Sequence, residues 1–358
     1  MKKFRNIALC LLIVVILAIA SVFAYYNINM SAVSDDDTLK EVTIEAGSIE
    51  SIGVTLKENN LIKDVTIFKI YTRLKNKSNL KAGIYNLSEN MTLEEIVEIL
   101  EKGSTYNPDE ISITFKEGIN IRKVAKSISE TTNNSYEDVL ELMNDTKYIN
   151  TLIDKYWFLT EDILNSNIYY PLEGYLFPNT YRFTNKDVSI EDIFDKMLSE
   201  TDKRLSKHKD KINNSKLSIH ELITLASIVE LEGANANDRA AVAGVFYNRL
   251  ASSAYPTLGS DATTYYGSKI DDWTVSLTYK ELDDCSNKYN TRCLSNTGLP
   301  VGPICNPSIE SIEATLNPED NDYYYFVADC KGEVYLTKTS YEHNKIINKL
   351  KRENNWCA

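Results

Sequence analysis

The chain has 358 residues, with 39 Lys and Arg against 51 Asp and Glu, for a net charge of −12. With no basic patch beyond the extreme N-terminus, that balance argues against nucleic acid as a partner. The three histidines (His208, His220, His343) are scattered and no C-x-x-C occurs, so no zinc site and no cofactor are expected.

Lys2, Lys3 and Arg5 precede Ile7 to Tyr26, a run with no charge and no proline. A helix of that length reaches roughly 30 Å, enough to cross a bilayer. Positive residues ahead of the span predict a cytoplasmic N-terminus, with everything after Tyr26 outside. The rival is a cleaved signal peptide, for which Ala18, Ala20 and Ala24 supply small residues, but the apolar run is long for one. An uncleaved, single-pass anchor in the cell membrane is the preferred reading. Cys10 is then a small apolar residue of the span.

An acidic linker with Asp35-Asp-Asp37 follows. Val42 to Glu45 alternates as a strand, and Ser48 to Asn59 has helical spacing. Ile67 to Leu74 is apolar at helix intervals, Ala82 to Leu87 reads as a strand, and Thr92 to Glu101 is an amphipathic helix opened by the capping box Thr92-Leu-Glu-Glu95. Next come a strand at Ile111 to Phe115 and helices at Asn120 to Ile128 and Ser135 to Met143. A tyrosine-rich bridge, Ile168 to Phe183, leads to helices at Ile190 to Leu205 and Ile219 to Glu232. Strands at Tyr323 to Ala328 and Val334 to Thr337 close the chain. The fold class is α+β, with residues 1–30 as cytoplasmic tip and anchor, 31–40 as linker, and folded units at 41–105, 106–167 and 168–358.

Five cysteines lie beyond the span: Cys285, Cys293, Cys305, Cys330 and Cys357. In an oxidising compartment one or two disulfides are expected, with one thiol left over. Cys285 and Cys293 are close in sequence and pair if their loop turns back.

The helix ending Leu225-Ala-Ser-Ile-Val-Glu-Leu-Glu232 carries the chemistry. Ser218-Ile-His-Glu221 is its capping box, and Leu222, Leu225, Ala226 and Val229 form an apolar stripe. Glu230 and Glu232 fall on opposite flanks of that stripe, about 160° apart at 100° per residue. They cannot act as an adjacent acid pair, so one acts and the other supports. Glu232, in the last turn before Gly233 at the C′ position, is best placed to enter a cleft. The negative helix end raises its pKa, which suits a general acid.

Further motifs join it. They are Glu45-Ala-Gly47, Leu80-Lys-Ala-Gly-Ile-Tyr85, Glu173-Gly-Tyr-Leu-Phe-Pro178, Val245-Phe-Tyr-Asn-Arg-Leu250, Ser260-Asp261, Tyr289-Asn-Thr291, Gly298-Leu-Pro-Val-Gly-Pro303, Tyr325-Phe-Val-Ala-Asp329 and Glu342-His-Asn344. Together, and in this order, they resemble the MltG/YceG-like endolytic murein transglycosylases. The resemblance implies a lyase that cuts the MurNAc–GlcNAc bond within nascent peptidoglycan strands, leaving 1,6-anhydro-MurNAc ends and terminating strand elongation. It implies a LysM-like domain at 41–105 and a catalytic domain at 168–358. Its catalytic glutamate maps onto Glu232.

The motif residues carry lesser roles. Tyr289, Asn290 and Thr291 offer a ring and polar groups to a sugar, with Glu230 and Asp261 in support. Gly298 and Pro300 lie in a rigid loop, and Asn344 is expected to reach the cleft, whereas His343 reads as structural. The expected partners are glycan strands, the membrane, and cell-wall synthases of the penicillin-binding class. The chain departs from the family pattern at Gly259, Ala262, Asn179 and Gly233. Two other readings remain: a muramidase using Glu232 with Asp261, and a non-catalytic peptidoglycan-binding scaffold.

Overall fold

A computed structural model describes residues 2–104, 109–233, 235 and 238–356. The chain divides into two compact units, residues 1–109 and 110–358.

The first unit opens with α1 (Lys2–Met30), whose Leu11–Met30 stretch is long and apolar enough to cross a membrane. Then come β1 (Lys40–Ile44), α2 (Ile49–Glu58), α3 (Val65–Leu74), β2 (Gly83–Leu87) and α4 (Leu93–Lys102). The two strands pair antiparallel, with Val42 opposite Tyr85. Their alternate residues Val42, Ile44, Tyr85 and Leu87 turn inward onto Leu56, Phe68, Ile96 and Leu100. Each helix starts on a side-chain cap: Ser48 for α2, Asp64 for α3 and Thr92, with its Glu95 partner, for α4.

The second unit begins with β3 (Ile111–Thr114), α5 (Ile121–Thr131), α6 (Tyr136–Asn144) and α7 (Thr146–Lys155). β4 (Thr180–Phe183), α8 (Ile190–Leu205) and α9 (Lys209–Asn213) follow. The sequence reading set 106–167 apart from 168–358. From residue 110 onward the structure makes no such division. β3 pairs antiparallel with β4 across that boundary, and Ile113, Phe115, Val124 and Ile128 share one core with Tyr175, Phe194, Leu198 and Ile223. A two-stranded ribbon alone is marginal, and the ribbon here gains its stability from that shared core.

The remaining elements are α10 (Ile219–Glu232), α11 (Arg239–Leu250), α12 (Asp261–Gly267), α13 (Tyr279–Leu282), α14 (Ile309–Leu316), β5 (Tyr325–Ala328), β6 (Val334–Thr337) and α15 (Ser340–Arg352). α10 is the spine. The sequence suggested a single apolar stripe, yet His220 and every residue from Leu222 to Val229 are buried. Leu222, Ile223 and Ala226 enter the core just described, while Leu225, Ile228 and Val229 enter a second core with Phe246, Tyr266 and Tyr289. A helix buried all round from Leu222 to Val229 lies between two cores, and Glu230 and Glu232 follow at its C-terminal end.

Close approach decides two glycines. Gly174 has φ +89°, and a Cβ there would lie 2.5 Å from Pro303 and 2.9 Å from Ile223. Gly233 does end α10, but with an extended backbone (φ −73°, ψ 113°) instead of the left-handed one a C′ glycine commonly takes. Space is its constraint, since a Cβ would meet Arg239 Cγ at 2.8 Å.

Cys285 and Cys293 form a disulfide with their Cα atoms 5.5 Å apart. Cys305 is a buried free thiol. Cys357 lies outside the described residues.

Candidate active site

The two glutamates at the end of α10 have different surroundings. Glu230 is nearly sealed from solvent and receives four hydrogen bonds. Arg239 Nη2 donates to Oε1 at 2.9 Å, while Ser308 N, Ser308 Oγ and Ser311 Oγ donate to Oε2 at 2.8, 2.5 and 2.7 Å. Oε2 thus gathers the start of α14 and Oε1 the start of α11, so Glu230 locks three helices together. Both oxygens of this carboxylate are engaged within the protein, Oε2 by three donors and Oε1 by a guanidinium.

Glu232 projects into a cavity of about 180 Å³ lined by Phe246, Arg249, Leu258, Gly259, Ser260, Asp261, Tyr325, Phe326 and His343. It is half-buried. Burial pushes its pKa up. A hydrogen bond from Ser260 pulls it back, the charge of Asp261 raises it, and the Ala262 N–H lowers it. Burial dominates, as a general acid requires.

Ser260 Oγ donates to Glu232 Oε1 at 2.6 Å. Ser260 is in turn fixed by Thr291. Its N–H donates to Thr291 Oγ1 at 3.1 Å, and Gly259 N–H donates to Thr291 O at 3.0 Å. Thr263 and Thr291 share a further hydroxyl contact at 2.9 Å. Thr291 is thus linked to Glu232 through Ser260.

Its neighbours are also buried. Asn290 Nδ2 donates to the carbonyls of Glu281, Leu282 and Asp284 at 3.2, 3.0 and 3.1 Å. The Tyr289 ring lies 4.9 Å from Tyr169 and 4.8 Å from Tyr266. All three residues of the triplet expected to meet a sugar, Tyr289, Asn290 and Thr291, are buried. Sequence marks residue type and motif but not which side of a loop faces out.

Asp261 does line the cavity, and its exposed Oδ1 pairs with Arg292 Nη1 at 2.6 Å. Gly298 (φ +80°) sends its N–H to Pro256 O at 3.1 Å, and Pro300 is buried, so this loop braces the 256–260 segment. Asn344, expected at the cleft, is exposed on α15 and touches Ser340 Oγ at 3.4 Å. The cavity wall belongs to His343 instead. One residue turns 100° on a helix, which is enough to exchange the two.

Arg249, Tyr325 and His343 were not singled out as site residues from the sequence, although each sits in a motif quoted above. Arg249 donates to Tyr324 O at 2.6 Å and to Leu258 O at 2.8 Å, and lies 4.9 Å from the Tyr325 ring centre. His343 packs 5.3 Å from the same ring. Burial, with the Arg249 charge, pushes its pKa down and favours the neutral imidazole.

Away from the cavity, Glu173 is fully buried. It accepts from Ile121 N (3.1 Å) and Tyr266 Oη (2.9 Å), and burial pushes its pKa up to about 8.

In sequence and fold the chain is similar to known proteins. The model of the YceG-like family matches residues 42–349. The endolytic murein transglycosylase of Bacillus subtilis (strain 168) is 38% identical over 333 residues, covering 92% of this chain and 90% of the relative. That of Streptococcus pneumoniae serotype 2 (strain D39 / NCTC 7466) is 33% identical over 352 residues, covering 94% of this chain and 63% of the relative. A crystal structure of a yceG-like protein from Listeria monocytogenes superposes with a TM-score of 0.61 at 39% identity, covering 86% of this chain and 99% of that one. The chain belongs to the YceG-like family.

Proposed function

We propose that the protein is an endolytic peptidoglycan lytic transglycosylase, with Glu232 as its single acid and base. The carrying observation is the cavity-facing, desolvated carboxyl of Glu232 beside a Glu230 that is wholly engaged elsewhere. The names of the Bacillus and Streptococcus relatives support the same reaction class. Protonated Glu232 gives its proton to the glycosidic oxygen as the bond from C1 of MurNAc breaks. The resulting carboxylate takes the proton of the C6 hydroxyl, whose oxygen bonds to C1 of the same sugar. One carboxyl completes the cycle, and the product ends are 1,6-anhydro-MurNAc.

A hydrolase would need a second carboxylate about 5–5.5 or 6.5–9.5 Å away to act as nucleophile or base. Asp261 is the one other acid on the cavity wall, and Arg292 engages it. This favours the transglycosylase over the muramidase reading. A carboxyl with a raised pKa facing a cavity likewise favours an enzyme over a binding scaffold.

The protein works outside the membrane, held by α1 with its N-terminus in the cytoplasm, since Lys2, Lys3 and Arg5 precede the span. The β1-α2-α3-β2 order of the first unit fits a LysM-like glycan-holding module. Cutting strands as they emerge would end their elongation and place the enzyme beside cell-wall synthases. Mass spectrometry of fragments released from purified peptidoglycan tests the reaction. Anhydro ends are the expected result, and hydrated reducing MurNAc ends would move the assignment to a muramidase.

A further inference from the structure

Asp261, the first residue of α12, lines the cavity, and from there to the C-cap Ser268 the residues that reach solvent are Asp261, Tyr265 and Ser268, spaced i, i+4, i+7. Tyr265 therefore stands one turn beyond Asp261, about 6 Å along the axis. Trp273 stacks on Tyr265 with ring centres 5.5 Å apart and planes at 20°. The indole is 47% exposed, so one face packs on Tyr265 and the other meets solvent.

The loop that carries Trp273 is tied down. Tyr265 Oη donates to Val275 O at 2.9 Å. Asp271, two residues before the tryptophan, accepts from Arg122 Nη2 at 2.6 Å, Arg122 Nε at 2.9 Å and Asn120 Nδ2 at 2.7 Å. Asp272 Oδ1 closes a turn onto Thr274 N at 3.0 Å. A single exposed apolar side chain needs no explanation, but a large ring fixed in place by hydrogen bonds on both sides is a preorganised surface.

From this the geometry points to a glycan-binding platform, Tyr265 and Trp273, that holds the sugar strand beyond the Glu232 cavity. The occupant is a β-linked aminosugar chain. Its pyranose rings present flat C–H faces that suit an aromatic plane, and their hydroxyls suit the polar rim of Tyr265 and Asp261. An enzyme that cuts inside a strand must grip sugars on both sides of the bond, and Tyr265 lies one helical turn from Asp261 of the cavity wall on the same side of α12. The inference rests on the reading of that cavity as a glycan-cleaving site.

The test uses full-length protein and purified, uncrosslinked glycan strands. Trp273→Ala is expected to raise KM for long strands roughly three- to tenfold with kcat little changed. Trp273→Phe, which keeps a ring, should recover most of the affinity. In the non-cleaving Glu232→Gln background, strands should alter tryptophan emission, and Trp273→Phe should remove that change. Wild-type KM in Trp273→Ala, or equal loss in Trp273→Ala and Trp273→Phe, would overturn the platform while leaving the cleavage reading intact. Failure of the wild-type protein to cleave strands at all would instead remove the reading on which the platform rests.

Discussion

Ser260 Oγ sits 2.6 Å from Glu232 Oε1, across 28 positions of sequence. This hydrogen bond stabilises the carboxylate form, while the neighbouring Asp261 charge and burial stabilise the acid form. The two influences predict opposite shifts in the pH–rate profile. The acid form donates the proton, so kcat/KM falls as pH rises through the Glu232 pKa. Ser260→Ala should move that falling limb to higher pH, and Asp261→Asn should move it lower. Shifts in one direction for both variants would show that Glu232 is not the titrating acid.

Glu230 should behave as a structural anchor. Glu230→Ala leaves Arg239 buried without its partner and frees the donors of Ser308 and Ser311, a loss of roughly 3–5 kcal/mol. Urea unfolding measures this. Glu230→Gln should be milder in stability, and its activity per folded molecule should stay well above that of Glu232→Gln.

Glu173 makes stability depend on pH. Its folded pKa of about 8 lies above its ordinary value of 4.5, so the protonated form is favoured in the fold. Its contribution is fully present below about pH 4.5 and is lost as pH rises through 8. The loss is on the order of 5 kcal/mol for a wholly buried carboxyl. Glu173→Gln should flatten that part of the stability–pH curve, as chemical unfolding at several pH values would record. Parallel curves for variant and wild type would contradict the assignment.

The Cys285–Cys293 disulfide encloses Thr291 and Arg292, which hold Gly259, Ser260 and Asp261. Opening a loop this short costs about 2–3 kcal/mol by chain entropy. Cys293→Ser should lower the unfolding temperature and reduce kcat, because the donor to Glu232 loses its brace. Reductant should shift the unfolding temperature and kcat of wild-type protein in the same direction.

Much of this was legible in the sequence, for identifiable reasons. Capping boxes at Thr92 and Ser218 fixed the starts of α4 and α10, because a cap is a local signal. The i, i+2 spacing of Glu230 and Glu232 separated an outward from a supporting carboxyl, because helix geometry is local too. Long-range facts were not legible. The ribbon of β3 and β4 joins residues about seventy positions apart, and the burial of Tyr289, Asn290 and Thr291 depends on packing against α12 and Tyr169. His343 and Asn344 differ by one helix step, which no motif resolves. Helix α11 went unassigned because tertiary contacts, rather than a clean period, decide which of its faces is buried.

The central claim is that Glu232 alone carries the proton. The most direct measurement is product analysis by mass spectrometry for the wild type, Glu232→Gln and Glu230→Gln on the same purified peptidoglycan, with circular dichroism to confirm folding. The account predicts anhydro-ended fragments from the wild type, none from a folded Glu232→Gln, and a reduced amount of the same fragments from Glu230→Gln. Anhydro-ended fragments at the wild-type rate from Glu232→Gln would contradict it.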